Sequence, residues 1–135
     1  MRKVDYGKLA SLWQRETAIL AVWVFGSAQQ GDLGPTSDVD LALLLRRPWP
    51  WEQKADLRAA VQERLQVEDI DLVFLDNDSD PLLAFEALSG RLLFVRDAAA
   101  RIAYASLKAR EYEDAVAFLA KYHGLSYPSR PTPTL

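Results

Sequence analysis

The sequence predicts an α/β (α+β) domain in which four short strands alternate with helices. Two observations carry this prediction. Apolar runs of strand length recur at residues 18–25, 38–45, 70–75 and 91–95, and the stretches between them space their apolar residues three and four apart, as helices do. Half of the 135 residues are hydrophobic, which is enough for one real core without a second domain.

Each element has its own signal. Residues 6–16 place Leu9, Leu12 and Trp13 at helical spacing and predict an amphipathic first helix. Residues 18–25, rich in Val, Ile and aromatics, predict a buried strand. Gly31, Gly34 and Pro35 mark residues 27–37 as an irregular loop, and the strand 38–45 that follows is stopped by Pro48 and Pro50.

Residues 51–66 set Leu57, Val61 and Leu65 among charges and good helix formers, predicting a surface helix. The third strand, 70–75, ends in the turn sequence Asp76-Asn77-Asp78-Ser79. Asp80-Pro81 reads as the N-cap and first position of a short helix, with Gly90 as its C-cap. A fourth strand at 91–95 leads into a long helix, 97–122, whose expected apolar face is Ile102, Ala105, Ala109, Tyr112, Val116 and Leu119, with Gly124 ending it. The domain is thus expected to span residues 1–125, followed by a flexible, proline-rich tail at 126–135.

Composition narrows the function. A net charge of −3 and dispersed basic residues argue against direct binding of nucleic acid. With no cysteine and a single histidine, a metal would have to sit on oxygen ligands. No apolar stretch approaches the roughly 20 residues that span a bilayer, and the N-terminus lacks a signal-peptide profile, so a cytoplasmic protein is expected.

Against this background one cluster of residues stands out. Gly26-Ser27 closes the first strand, and Ser37-Asp38-Val39-Asp40 opens the second. Two fixed dipeptides plus the second aspartate meet by chance on the order of once per million positions. Alternation along a strand puts Asp38 and Asp40 on one face with α-carbons roughly 6.5 to 7 Å apart. Val39, Leu41, Leu43 and Leu45 face the other way, into the core. Two such carboxylates repel, and at least one pKa should rise unless a hard cation such as Mg²⁺ joins them.

Asp71 adds a third carboxylate if its strand lies beside the second, completing the donor set of a two-metal site. Gly26 lets the backbone approach a ligand, and Ser27 offers a hydroxyl and an amide to a phosphate oxygen. Triphosphate and metal together describe nucleotidyl transfer. The simpler readings are that Gly26-Ser27 is an ordinary turn and Asp71 an edge-strand charge that discourages aggregation. His123 is expected to complement the end of its helix, and Trp13, Trp23, Trp49 and Trp51 are expected to pack rather than to stack on bases.

The pattern Gly26-Ser27, Gly31, Ser37-Asp38-Val39-Asp40-Leu41 and Ile70-Asp71-Leu72-Val73 resembles the minimal nucleotidyltransferases of the DNA polymerase β-like superfamily. From Pro81-Leu82-Leu83 through Gly90-Arg91-Leu92-Leu93-Phe94 and the long helix, the chain is similar to MntA-type antitoxins. The resemblance covers most of the chain to about Tyr122. It implies a small mixed sheet covered by helices, with Asp38 and Asp40 binding Mg²⁺ (or Mn²⁺) and Asp71 as the third catalytic carboxylate. Gly26, Ser27, Gln30 and Ser37 would lie against the nucleotide. Where many relatives carry Ala-Arg before the second loop glycine, this chain has Gln29-Gln30, which can donate hydrogen bonds but holds no charge.

By the same resemblance, the expected activity is transfer of AMP from ATP to a tyrosine of a HEPN-domain ribonuclease toxin. Two other functions stay open at this point: an antitoxin that acts by complex formation alone, and an adenylyltransferase for a small molecule such as an aminoglycoside.

Overall fold

The structure, a computed structural model, describes residues 2–35 and 37–123. Two strongly apolar segments form its centre, the second broken only by Asp40. Strand β2 (Ile19–Phe25) is buried at every position, and β4 (Val39–Leu45) at five of seven. They pair antiparallel, with Phe25 opposite Asp40. Strand β5 (Ile70–Leu75) adds parallel to β4, and β6 (Arg91–Val95) adds antiparallel to β2, so the four-stranded mixed sheet runs β5-β4-β2-β6.

Residues with no polar side chain on either face need cover on both faces, and helices supply it. On one face Val22, Val24, Leu41 and Leu43 pack with Leu9, Leu12 and Trp13 from the first helical segment and with Leu57, Val61 and Leu65 from α2 (Trp51–Leu65). On the other, Ala21, Trp23, Phe25, Ala42 and Leu44 meet α3 (Pro81–Leu88) and the first half of α4 (Ala98–His123) through Ala84, Leu88, Tyr104 and Ala105. The face that carries Asp40 is therefore open at its end alone: from Ala42 onward it is a second core.

The predicted first helix divides. Tyr6–Leu9 forms a single 3-10 turn, entered where the Asp5 side chain accepts from the Gly7 amide at 2.9 Å, and α1 proper is Ala10–Arg15. A second small sheet was not foreseen: β1 (Arg2–Lys3) pairs antiparallel with β3 (Asp32–Leu33), with Lys3 and Asp32 in an ion pair. Two-residue strands have no periodicity to read, and β3 lies inside the predicted loop.

Helix α2 ends on Gln66 in the left-handed region (φ 56°) rather than on a glycine. At α3, Asp80 caps as expected, its side chain accepting from the Leu82 amide at 2.8 Å, and Pro81 occupies the first helical position. The C-cap, however, is Ser89. Gly90 serves packing: a β-carbon there would meet the Val24 carbonyl and Phe25.

Helix α4 turns inward a face that shares Ala105 and Tyr112 with the expected one, with Ala109, Val116 and Leu119 half-buried beside it, but departs from it in the first turns. Its buried residues are Arg101, Tyr104, Ala105, Lys108 and Tyr112, while Ile102 is 46% exposed. Tyr112 stacks on Phe85 of α3 with ring centroids 4.3 Å apart. Lys108 is fully buried, and its ammonium donates to the carbonyls of Asn77 and Ser79, both at 2.8 Å, and to Glu111 at 2.9 Å. A charge so bonded takes the place of an apolar contact, which is why apolar spacing alone missed Lys108 as part of the buried face. Trp13, Trp23 and Trp49 are core residues, but Trp51 is 74% exposed at the start of α2. The His123 side chain, the Gly124 cap and the 126–135 tail lie outside the described residues.

Candidate active site

Gly26, Asp38, Asp40 and Asp71 meet where β2, β4 and β5 share one end. Strand register fixes the order across that end: Phe25 is paired with Asp40, and Asp40 with Asp71. Gly26, which directly follows Phe25, thus adjoins Asp40, and Asp71 lies on the other side, one strand spacing of about 4.8 Å away. The expectation that β4 and β5 are neighbours holds.

Gly26 is the residue that lets the turn close over this cluster. Its φ of +75° belongs to the left-handed region, and a β-carbon on it would lie 2.6 Å from Asp40 Oδ2. Either fact alone selects glycine. Gly26, Ser27 and Ala28 then form one 3-10 turn, with Ser27 at the surface. Tyr6 props this turn from beneath: its hydroxyl donates to the Ala28 carbonyl at 2.6 Å. Burial pushes the Tyr6 phenol up to about 12, so it stays a neutral donor at physiological pH.

Asp40 is half-buried, whereas Asp38 and Asp71 are exposed. Burial raises the Asp40 carboxyl above its ordinary range, and the negative charges of Asp71, Asp38 and Glu86 raise it further. Asp69 lies before β5, its carbonyl accepting from the Val39 amide at 2.9 Å, and so belongs to the entry loop. Ser37 Oγ accepts from the Gly34 amide at 3.0 Å, which closes the loop just ahead of Asp38. Ser37 lines a cleft with Gly34, Glu68 and Asp69, while Asp38 and Asp71 share a separate one. Gln30 is exposed on the loop that follows the turn.

Among the described residues no three His, Cys, Asp or Glu side chains converge as a ready metal cage. The donor set nonetheless fits a hard divalent cation. It is carboxylate oxygen throughout, and Asp40, raised first by burial, is raised further by the charges of Asp71, Asp38 and Glu86, which a cation would offset. Mg²⁺ commonly uses only one or two carboxylates and takes its remaining ligands from phosphates and water.

Three neighbours of the cluster were not foreseen. Glu86 acts on it through its charge from α3, Tyr6 supports it from the first turn, and Arg58 lines it from α2. Arg58 lines a cleft of about 300 Å³ together with Asp38, Asp69, Ile70 and Asp71, and its Nε donates to the Ile70 carbonyl at 2.9 Å. Nothing in the sequence distinguishes these residues from surface charges and core aromatics, because only helix docking brings them to the strand ends.

No curated protein is significantly similar in sequence. Several solved structures share the fold. A mutant of the toxin–antitoxin MntA–HpeT superposes with a TM-score of 0.73 at 20% identity, covering 90% of this chain and 97% of that one. A toxin–antitoxin structure with AMP-PNP gives 0.72 at 20% identity, over 87% of this chain and 94% of that one. The MNT antitoxin in complex with the tri-AMPylated HEPN toxin of Shewanella oneidensis gives 0.67 at 18% identity, over 87% and 92%. Residues 7–99 match the family described as polymerase beta, nucleotidyltransferase, a span that holds Gly26, Ser27, Asp38, Asp40 and Asp71. The chain belongs to the polymerase beta nucleotidyltransferase family.

Proposed function

We propose that this chain transfers AMP from ATP to a tyrosine hydroxyl of a HEPN-type toxin and so acts as that toxin's antitoxin. The observation that carries the reading is the register that sets Gly26, Asp40 and Asp71 in a row across one sheet end. The similar structures lend support, one containing AMP-PNP and another a tri-AMPylated HEPN toxin. A nucleoside triphosphate substrate accords with a cytoplasmic location, and among the described residues no helix is long and apolar enough to cross a membrane.

In this reading Asp38, Asp40 and Asp71 hold Mg²⁺ or Mn²⁺, which neutralises phosphate charge when bound. The Gly26–Ala28 turn receives the phosphates, Ser27 contributing its hydroxyl and amide, with Gln30 and Ser37 close to the nucleotide. Asp71 takes the proton of the acceptor hydroxyl. The acceptor oxygen bonds to the α-phosphorus, the bond from that phosphorus to the β-bridging oxygen breaks, and pyrophosphate leaves with the electron pair. Positioning supplies most of the rate.

One observation favours a second reading, antitoxin action by binding alone: residues 26–37 contain no lysine or arginine to meet phosphate charge. A single experiment separates the two. The protein is incubated with labelled ATP and Mg²⁺, with and without the product of the adjacent gene, and both chains are weighed intact. A gain of AMP units on the partner, abolished by Asp38→Asn with Asp40→Asn, is the expected result. A stable complex with no mass change would overturn transfer in favour of binding.

A further inference from the structure

Arg58 is the one cation among the residues that line the cleft of Asp38, Asp69 and Asp71. Its Nε is tied to the Ile70 carbonyl, which leaves the two terminal nitrogens of the guanidinium to face the cleft or solvent. The site has a direction. Across the sheet end the order is Gly26, Asp40, Asp71, and β5 is the last strand among the described residues. In-line displacement needs the attacking and leaving oxygens on opposite sides of the phosphorus. If the phosphates lie on the Gly26 turn, pyrophosphate departs on the β2 side and the acceptor must attack from the β5 side. That side is the cleft of Asp71 and Arg58.

We propose that the acceptor enters over the free edge of β5 and that Arg58 binds the acceptor residue, holding its hydroxyl beside Asp71 with the guanidinium against its ring or oxygen. A guanidinium suits this role, since it can either stack on an aromatic face or donate in its plane to a phenolic oxygen. Asp69, which the proposed metal does not use, adds a further negative charge to the same cleft, so it disfavours an acidic acceptor segment. This inference rests on the proposed transferase reading and extends it to the acceptor.

The test compares Arg58→Ala and Arg58→Lys with the unaltered protein, using ATP, Mg²⁺ and the adjacent gene's product as acceptor. Arg58→Ala should raise the acceptor KM by about tenfold or more while the KM for ATP stays within about twofold, because the interaction lost is on one substrate only. Arg58→Lys keeps the charge but loses the planar fork and the bond to Ile70, and should fall between. A thermal melt of each variant reads the purely structural role. Equal loss of ATP and acceptor affinity, or an unchanged acceptor KM in a folded Arg58→Ala protein, would overturn the assignment.

A second measurement does not depend on turnover. Phenylglyoxal modification of Arg58, followed by peptide mass, should be blocked by the partner and not by ATP alone. Absence of transfer by the unaltered protein would count against the transferase reading, whereas failure of the partner to protect Arg58 would overturn this one.

Discussion

Gly26 and Asp40 share a space too small for one more carbon: a β-carbon on Gly26 would come within 2.6 Å of the Asp40 carboxylate. The turn that would grip phosphate and the carboxylate that would grip metal are thereby held at fixed separation. Gly26→Ala should destabilise the fold by about 1–3 kcal/mol, from positive-φ strain together with that collision. Urea denaturation gives the first number. A nucleotide titration under folded conditions should show affinity falling as well.

Asp40 should also make stability depend on pH. Its folded pKa lies above the ordinary value of 3.8, first through burial and then through the charges of Asp71, Asp38 and Glu86. The folded state therefore binds a proton more readily than the unfolded chain. This group's stabilising contribution is full below pH 3.8 and is lost as pH rises through the raised folded value. Asp40→Asn should accordingly gain stability relative to its parent between acid and neutral pH. A series of denaturation curves from pH 4 to pH 7 checks the sign.

A divalent cation would offset the same repulsion. Mg²⁺ should raise the melting temperature of the unaltered protein at neutral pH by simple mass action on the folded state. The protein carrying both Asp38→Asn and Asp40→Asn should melt at a temperature independent of Mg²⁺. Differential scanning calorimetry with and without chelator distinguishes the two.

Tyr6→Phe removes one hydroxyl and its 2.6 Å bond to the Ala28 carbonyl. The expected loss is about 1 kcal/mol of stability. Because that bond supports the Gly26–Ala28 turn from its buried side, ATP affinity should weaken too, and isothermal titration would register it.

Lys108→Met keeps most of the buried volume but deletes the bonds to Asn77, Ser79 and Glu111. Two carbonyls lose their donor, and a loss of about 2–4 kcal/mol follows. The site at the far end of β4 and β5 should be untouched, so any protein that remains folded should transfer at the parental rate. Chemical denaturation and an activity assay together make the check.

How much of this was legible in the sequence differs by element. Strands β2, β4, β5 and β6 and helices α2 and α3 could be read because apolar spacing and turn residues agreed locally. The neighbouring placement of Asp40 and Asp71 followed from strand alternation plus one correct assumption of adjacency. What escaped was set by tertiary contact. Lys108 is buried because carbonyls of the β5–α3 connection surround it, a fact no pattern in α4 encodes. Gly90 looked like a helix cap and is a packing glycine. Trp51 looked like core and is exposed, since α2 presents Leu57, Val61 and Leu65 to the sheet instead. Arg58 and Tyr6 reach the site only by virtue of how their segments dock.

The parallel pairing of Asp40 with Asp71 has a consequence for how the molecule comes into being. Parallel neighbours cannot be joined by a hairpin, so the chain must pass through α2 before β5 can be laid down beside β4. The carboxylate pair is thus a long-range contact that forms late, after the crossover has docked, and not within any local unit. Its Asp71 half sits on the edge strand β5, where transient opening begins most readily. The antiparallel β2–β4 pair can set Gly26 against Asp40 by itself, but Asp71 joins them only once β5 is laid down, so native-state hydrogen exchange in β5 would report when the carboxylate row is complete.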